Sequence, residues 1–153
     1  MIDAARLVAA VRVFAAAWLV LVVAAVPAQA ATGATHPASE WAEIRAVVTA
    51  QREALVAGDG ERAFGYASPA LRRRYRTAQA FMRMADEGYR PLVAARYVEF
   101  LEGAIVEGST IQPLRLVMPD GTVLVALYEM EEQRGGSWRI AGCVIAPSTL
   151  KAA

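Results

Sequence analysis

The sequence predicts an α+β domain: N-terminal helices packed on a curved, four-stranded antiparallel meander sheet. Two observations predict it. As far as Tyr89 the apolar residues recur at helical spacing, whereas from about Ala95 they form short runs divided by turn residues. Helices come first and strands second, with no strand–helix–strand alternation, which predicts segregated layers rather than a parallel sheet.

Ahead of this domain lies a segment of a different kind. Val13 to Val26 is a charge-free apolar run, preceded by Arg6 and Arg12 and followed by Pro27 and Ala28-Gln29-Ala30. A basic flank, a run of this length and an A-x-A site make a secretory signal peptide, expected over residues 1–30. The competing reading is a membrane anchor, for which the run is short, since a spanning helix needs about 20 apolar residues. Export to a periplasm or the outside is therefore expected, with no stable membrane anchor after cleavage. The excess of Arg over Lys and the many Ala residues hint at a GC-rich bacterial genome. Removing Arg6, Arg12 and Asp3 from the 16 basic and 15 acidic residues leaves 14 of each, a neutral remainder. A neutral surface argues against a nucleic-acid partner, which demands basic charge.

Residues 31–38 read as a flexible leader containing His36, residues 39–148 as the single domain and 149–153 as a C-terminal tail. The first helix is expected from about Glu40 to Ala57, capped by Ser39, with Trp41, Ile44, Val48 and Leu55 on its apolar stripe. Gly58 ends it. Asp59 caps a second helix to about Ala67, Ser68-Pro69 opens a third, and Thr77 caps a fourth from Ala78 to Glu87. Tyr89-Arg90-Pro91 reads as a bend. The four expected strands are Ala95 to Val106, Thr110 to Met118, Thr122 to Glu132 and Trp138 to Ala146. Glu107-Gly108, Asp120-Gly121 and Gln133 to Gly136 divide them, Asp-Gly being a strong hairpin signal.

A two-residue Asp120-Gly121 turn sets Leu116 opposite Val125, Leu114 opposite Leu127 and Gln112 opposite Glu129. The last turn sets Glu131 opposite Trp138 and Glu129 opposite Ile140. One face then carries Leu114, Leu116, Val125, Leu127, Trp138, Ile140 and Val144. The other carries Arg115, Ala126, Tyr128, Met130, Arg139 and Cys143. Both faces are largely apolar, so the one turned away from the helices is either covered or an association surface. A bulge at Gly103 would put Val98 and Phe100 on the core face, and its absence would put Glu99 there.

Several segments resemble a known family. Gly136-Ser137-Trp138-Arg139-Ile140 is similar to the final hairpin of the NTF2-like, cone-shaped α+β barrels, and Gly58-Asp59-Gly60-Glu61-Arg62-Ala63 to their second-helix entry. Closer still is DUF4864, a bacterial domain of unknown function, on Ala63-Phe64, Ala67-Ser68-Pro69, Phe81-Met82-Arg83-Met84, Ala126 to Met130 and Ser137 to Cys143. The resemblance spans about Glu40 to Pro147. It implies the cone fold and a secreted bacterial setting, and it lends no activity.

The candidate site residues follow from these placements. Glu129, the one catalytic candidate, faces Gln112 among apolar residues, where a carboxylate can serve as a base or anchor a ligand. The alternative is a solvated rim. Trp41, Phe64 and Phe81 are core residues that double as pocket walls. Arg115, Tyr128 and Arg139 form a candidate association surface. Arg72, Arg73, Arg74 and Arg76 read as a solvated cluster, and Cys143 as a buried thiol. His36 has no companion ligands, so no metal or other cofactor is expected. Ser68 has no His in the folded domain to activate it. The expected function is non-enzymatic binding of a small apolar ligand or a protein partner, including a homodimer. The alternatives are a cofactor-free isomerase or hydrolase using Glu129, and a structural dimer of the cell envelope.

Overall fold

The computed structural model describes residues 35–148. The expected signal segment 1–30, residues 31–34 of the leader and the tail 149–153 lie outside the described residues. The domain is α+β, with five helices and an open, five-stranded antiparallel sheet.

Helix α1 (Ala38–Val56) begins earlier than Ser39 would cap it. Pro37, with φ fixed at −56°, precedes it, and its carbonyl accepts from the Glu40 and Trp41 amides. Ser39 therefore lies inside the first turn. Trp41, Ile44, Val48, Gln51, Ala54 and Leu55 form the buried stripe. Helix α2 (Gly60–Gly65) is capped by Asp59, α3 (Pro69–Tyr75) by Ser68 and α4 (Ala78–Gly88) by Thr77. In each, the side-chain oxygen accepts from the amide three residues on. The expected bend at Tyr89-Arg90-Pro91 is instead the start of a short helix, α5 (Arg90–Ala94). Proline is tolerated there because first-turn amides have no helical partner.

The expected first strand is two strands, β1 (Tyr97–Phe100) and β2 (Ala104–Val106), both paired with β3 (Ser109–Val117). The break has a cause. Phe100 pairs with Leu114 and Ala104 with Ile111, leaving three residues between the pairs on one side against two on the other, which is the bulge expected at Gly103. Pro113 has no N–H, so it accepts from the Leu101 amide (3.1 Å) but returns nothing to the Leu101 carbonyl. The Gln112 side chain supplies the missing donor: its Nε2 donates to Leu101 O (2.8 Å) and Pro113 O (2.9 Å). Trp41 lies on the gap, where a Cβ at Gly103 would collide with its ring. Val98 and Phe100 face the core, as a bulge requires.

Strands β4 (Val123–Glu132) and β5 (Trp138–Pro147) complete the sheet, and each of their hairpins leaves its turn one residue out of the expected register. Val117 pairs with Val123, Leu114 with Ala126 and Gln112 with Tyr128. The turn explains the slip. The Met118 amide donates to Thr122 O and the Gly121 amide to Met118 O, closing a three-residue loop with Gly121 at φ 85°. A two-residue turn of the expected kind needs positive φ at Asp120 too, and Asp120 does not have it. Gln133 to Ser137 repeats this arrangement, with Gly136 at φ 80°, and sets Glu132 opposite Trp138. The true two-residue turn is Glu107-Gly108, with φ of 49° and 82°.

A one-residue slip exchanges the faces of a strand. Ala126, Tyr128 and Met130 therefore join Leu114 and Leu116 in the core, while Val125, Leu127 and Glu129 turn outward. On β5 a second irregularity intervenes. Met130 pairs with Ile140 but Glu129 with Gly142, leaving Ala141 extra. Trp138 and Ile140 face the core before it, and Cys143 and Ile145 after it, so Val144 points outward and is 62% exposed. Ile140 bonds on its other side to the segment between α2 and α3: its amide donates to Tyr66 O (2.9 Å), and the Ser68 amide donates to Ile140 O (2.8 Å).

Replacing Gln112 by Met keeps volume and removes both donors. Leaving a buried carbonyl unsatisfied should cost about 1–3 kcal/mol. Urea denaturation should show the loss, and an unchanged midpoint would mean that Leu101 O finds another donor.

Candidate functional site

The residues expected to form an interior pocket are used in packing. Trp41, Phe64 and Phe81 belong to the core, Phe64 and Phe81 meeting at 5.5 Å between ring centroids. Gln112 is fully buried, and its Oε1 accepts from Arg45 Nε of α1 at 3.3 Å. The facing pair Gln112–Glu129 is not formed, because Tyr128 occupies that position. Glu129 lies on the outer side, exposed, and accepts from Ser109 Oγ at 3.1 Å. It is not a carboxylate among apolar walls, and the register slip is the reason.

The same slip divides the expected association residues. Tyr128 is buried in the core rather than on the outer face, and its hydroxyl has no hydrogen-bond partner among the described residues. Arg115 stays on the outer face, ion-paired to its cross-strand neighbour Glu99. Arg139 lies opposite Glu131, its guanidinium donating to Trp138 O. Around Arg115 and Glu99 the outer face carries Ile111, Pro113, Val125, Leu127, Val144 and Tyr97, the last 55% exposed. The helices pack on the opposite face. Of the arginine cluster, Arg72 is more than a solvated cation: it donates to the Ala67 and Gly65 carbonyls and so satisfies the end of α2.

The largest departure is His36, which is held rather than lying in a flexible leader. Its Nδ1 is 2.8 Å from Glu40 Oε2, one helical turn on, and its Nε2 is 2.8 Å from Thr110 Oγ1 on β3. Its ring meets those of Trp41 and Trp138 edge-on, at centroid distances of 5.3 and 5.0 Å. Beside it opens a cleft of about 360 Å³, lined by His36, Ser109, Thr110, Glu129, Trp138 and their neighbours. His36-Pro37 ahead of a helix, with Glu40 four residues on, is a local signal for the first contact. The contact with Thr110, 74 residues away, has no local signal.

Burial governs the titratable groups beneath the sheet. It pushes the Cys143 thiol up to about 12. It also raises the Tyr128 phenol well above its usual range, with Cys143 adding to the effect and Arg52 opposing it. Burial, then Cys143 and Tyr75, raise Tyr89, whose hydroxyl donates to the Cys143 carbonyl at 2.9 Å. Among the described residues no group of three or more His, Cys, Asp or Glu could hold a metal ion, and no helix is long and apolar enough to cross a membrane.

The DUF4864 family model, a domain of unknown function, matches residues 37–153. The chain belongs to that family. Comparison with curated proteins and with solved structures found no match.

A thiol raised from 9.0 to about 12 is stabilised in its neutral form by folding. That contribution is complete below about pH 9 and is lost as pH rises from there towards 12. At pH 8 the thiolate is therefore much scarcer in the folded chain than in the chain in urea. Iodoacetamide should react with the folded chain at least about tenfold more slowly, because the thiolate is the nucleophile. Equal rates would contradict a buried thiol.

Proposed function

We propose that this chain is an exported binding module that associates with a second copy of itself through the outer face of its sheet. The observation that carries the reading is the apolar band Ile111, Pro113, Leu127 and Val144, on the face away from the helices. Apolar patches of this kind mark contacts. Glu99 and Arg115 sit side by side in the band, so one patch offers both charges and can complement its own copy across a two-fold axis. A neutral mature chain supplies no field for a strongly charged partner. A small apolar ligand between helices and sheet is the second reading. It is disfavoured because Trp41, Phe81 and Gln112 are already packed or hydrogen-bonded there.

The helices-first order, the bulged antiparallel sheet and the Gly136 to Ile140 hairpin support an NTF2-like cone as the fold's wider relationship. The basic flank, apolar run and A-x-A site support export with cleavage after Ala30. Intact mass of the exported protein should then begin at Ala31, and a full-length chain in the membrane fraction would contradict cleavage.

Light scattering on the mature chain should give a dimer. Val144→Glu, at a site already 62% exposed, should weaken it at least about tenfold without loss of fold. A wild-type chain that stays monomeric at high concentration contradicts the proposal.

A further inference from the structure

The His36 assembly holds chemistry that the binding reading does not use. Glu40 is a carboxylate that accepts, so the tautomer it selects carries the proton on His36 Nδ1. Nε2 is then an acceptor, and the Thr110 hydroxyl, 2.8 Å away, directs its proton to it. Carboxylate, imidazole and hydroxyl in this order make a nucleophile with its base and the group that orients the base. The rings of Trp41 and Trp138 hold the imidazole in place. His36 and Thr110 both line the cleft of about 360 Å³, room for a small acyl group beside them. The three members come from the segment before α1, its first turn and β3, brought together by the fold alone.

We propose that this cleft is an acyl-transfer site that hydrolyses small esters, with Thr110 as nucleophile, His36 as general base and Glu40 as positioning residue. Thr110 Oγ1 attacks the ester carbonyl carbon as its proton passes to His36 Nε2. The carbon–oxygen bond to the leaving alcohol breaks, and the alcohol takes the proton from Nε2. Water then adds to the acyl-threonine, again losing its proton to Nε2. The acid departs, and Thr110 recovers its proton. Glu129, Glu131 and Glu132 also line the cleft, so neutral or cationic esters suit it better than anionic ones.

The test is to incubate the full chain with an alkyl β-lactone, which acylates activated hydroxyls and remains attached, and to map the adduct by mass spectrometry. One adduct, on Thr110, is expected. Thr110→Ser should label at least as fast, Thr110→Val should not label, and His36→Gln should slow labelling at least about 100-fold. Glu40→Gln should slow it and abolish the downfield proton resonance of His36 Nδ1–H, while circular dichroism stays unchanged. The proposal is overturned if neither wild type nor Thr110→Ser is labelled, if the adduct maps elsewhere, or if a folded His36→Gln labels at the wild-type rate. Should His36→Gln fail to fold, wild type and Thr110→Ser decide the matter.

Discussion

The pairing of β3 with β4 depends on one turn, Met118 to Thr122, and most of the domain depends on that pairing. Gly121 in the left-handed region closes a three-residue loop between Met118 and Thr122. Because strand side chains alternate, this fixes Tyr128 inside and Glu129 outside. With one residue fewer in the loop, the charge of Glu129 would enter the core and the aromatic ring would leave it. Burying an unpaired carboxylate is far costlier than burying the lone unpaired hydroxyl of Tyr128. The hydrophobic pattern on its own does not decide the register, since both faces of β4 are apolar along much of their length.

Two local devices bend the sheet around this fixed pair. Pro113 removes a donor from β3, Gln112 replaces it, and the bulge at Gly103 makes room for Trp41 of α1. On the other side, the extra residue Ala141 accompanies the bonds of Ile140 to Tyr66 and Ser68, which tie β5 to the helical half. Each irregularity thus sits where a helical segment meets the sheet. The polar groups buried there, Gln112 and Ser68, serve the backbone.

What can be read in the sequence follows the range of the interactions. Caps at Asp59, Ser68 and Thr77 act within three residues, and the chain shows them directly. The Gly103 bulge is legible from alternation on either side. The turn differs from expectation although its signal is present: Pro119 ahead of Asp120-Gly121 favours a longer turn with only the glycine left-handed. That single difference moves Glu129 and Tyr128 to opposite faces from those expected, and the candidate site with them. The Ala141 bulge, which turns Val144 outward, depends on bonds to Tyr66 and Ser68 that no local pattern announces. His36 escapes sequence reasoning for a similar reason, since Thr110 and Trp138 lie far along the chain.

The proposed association surface and the proposed chemistry of the cleft both rest on the same strands, so both depend on this register. Cross-strand NMR contacts test it most directly. A strong Hα–Hα nuclear Overhauser effect is expected between Arg115 and Val125, which face each other in the β3–β4 pair. A corresponding effect between Leu116 and Val125, with none from Arg115, would contradict it.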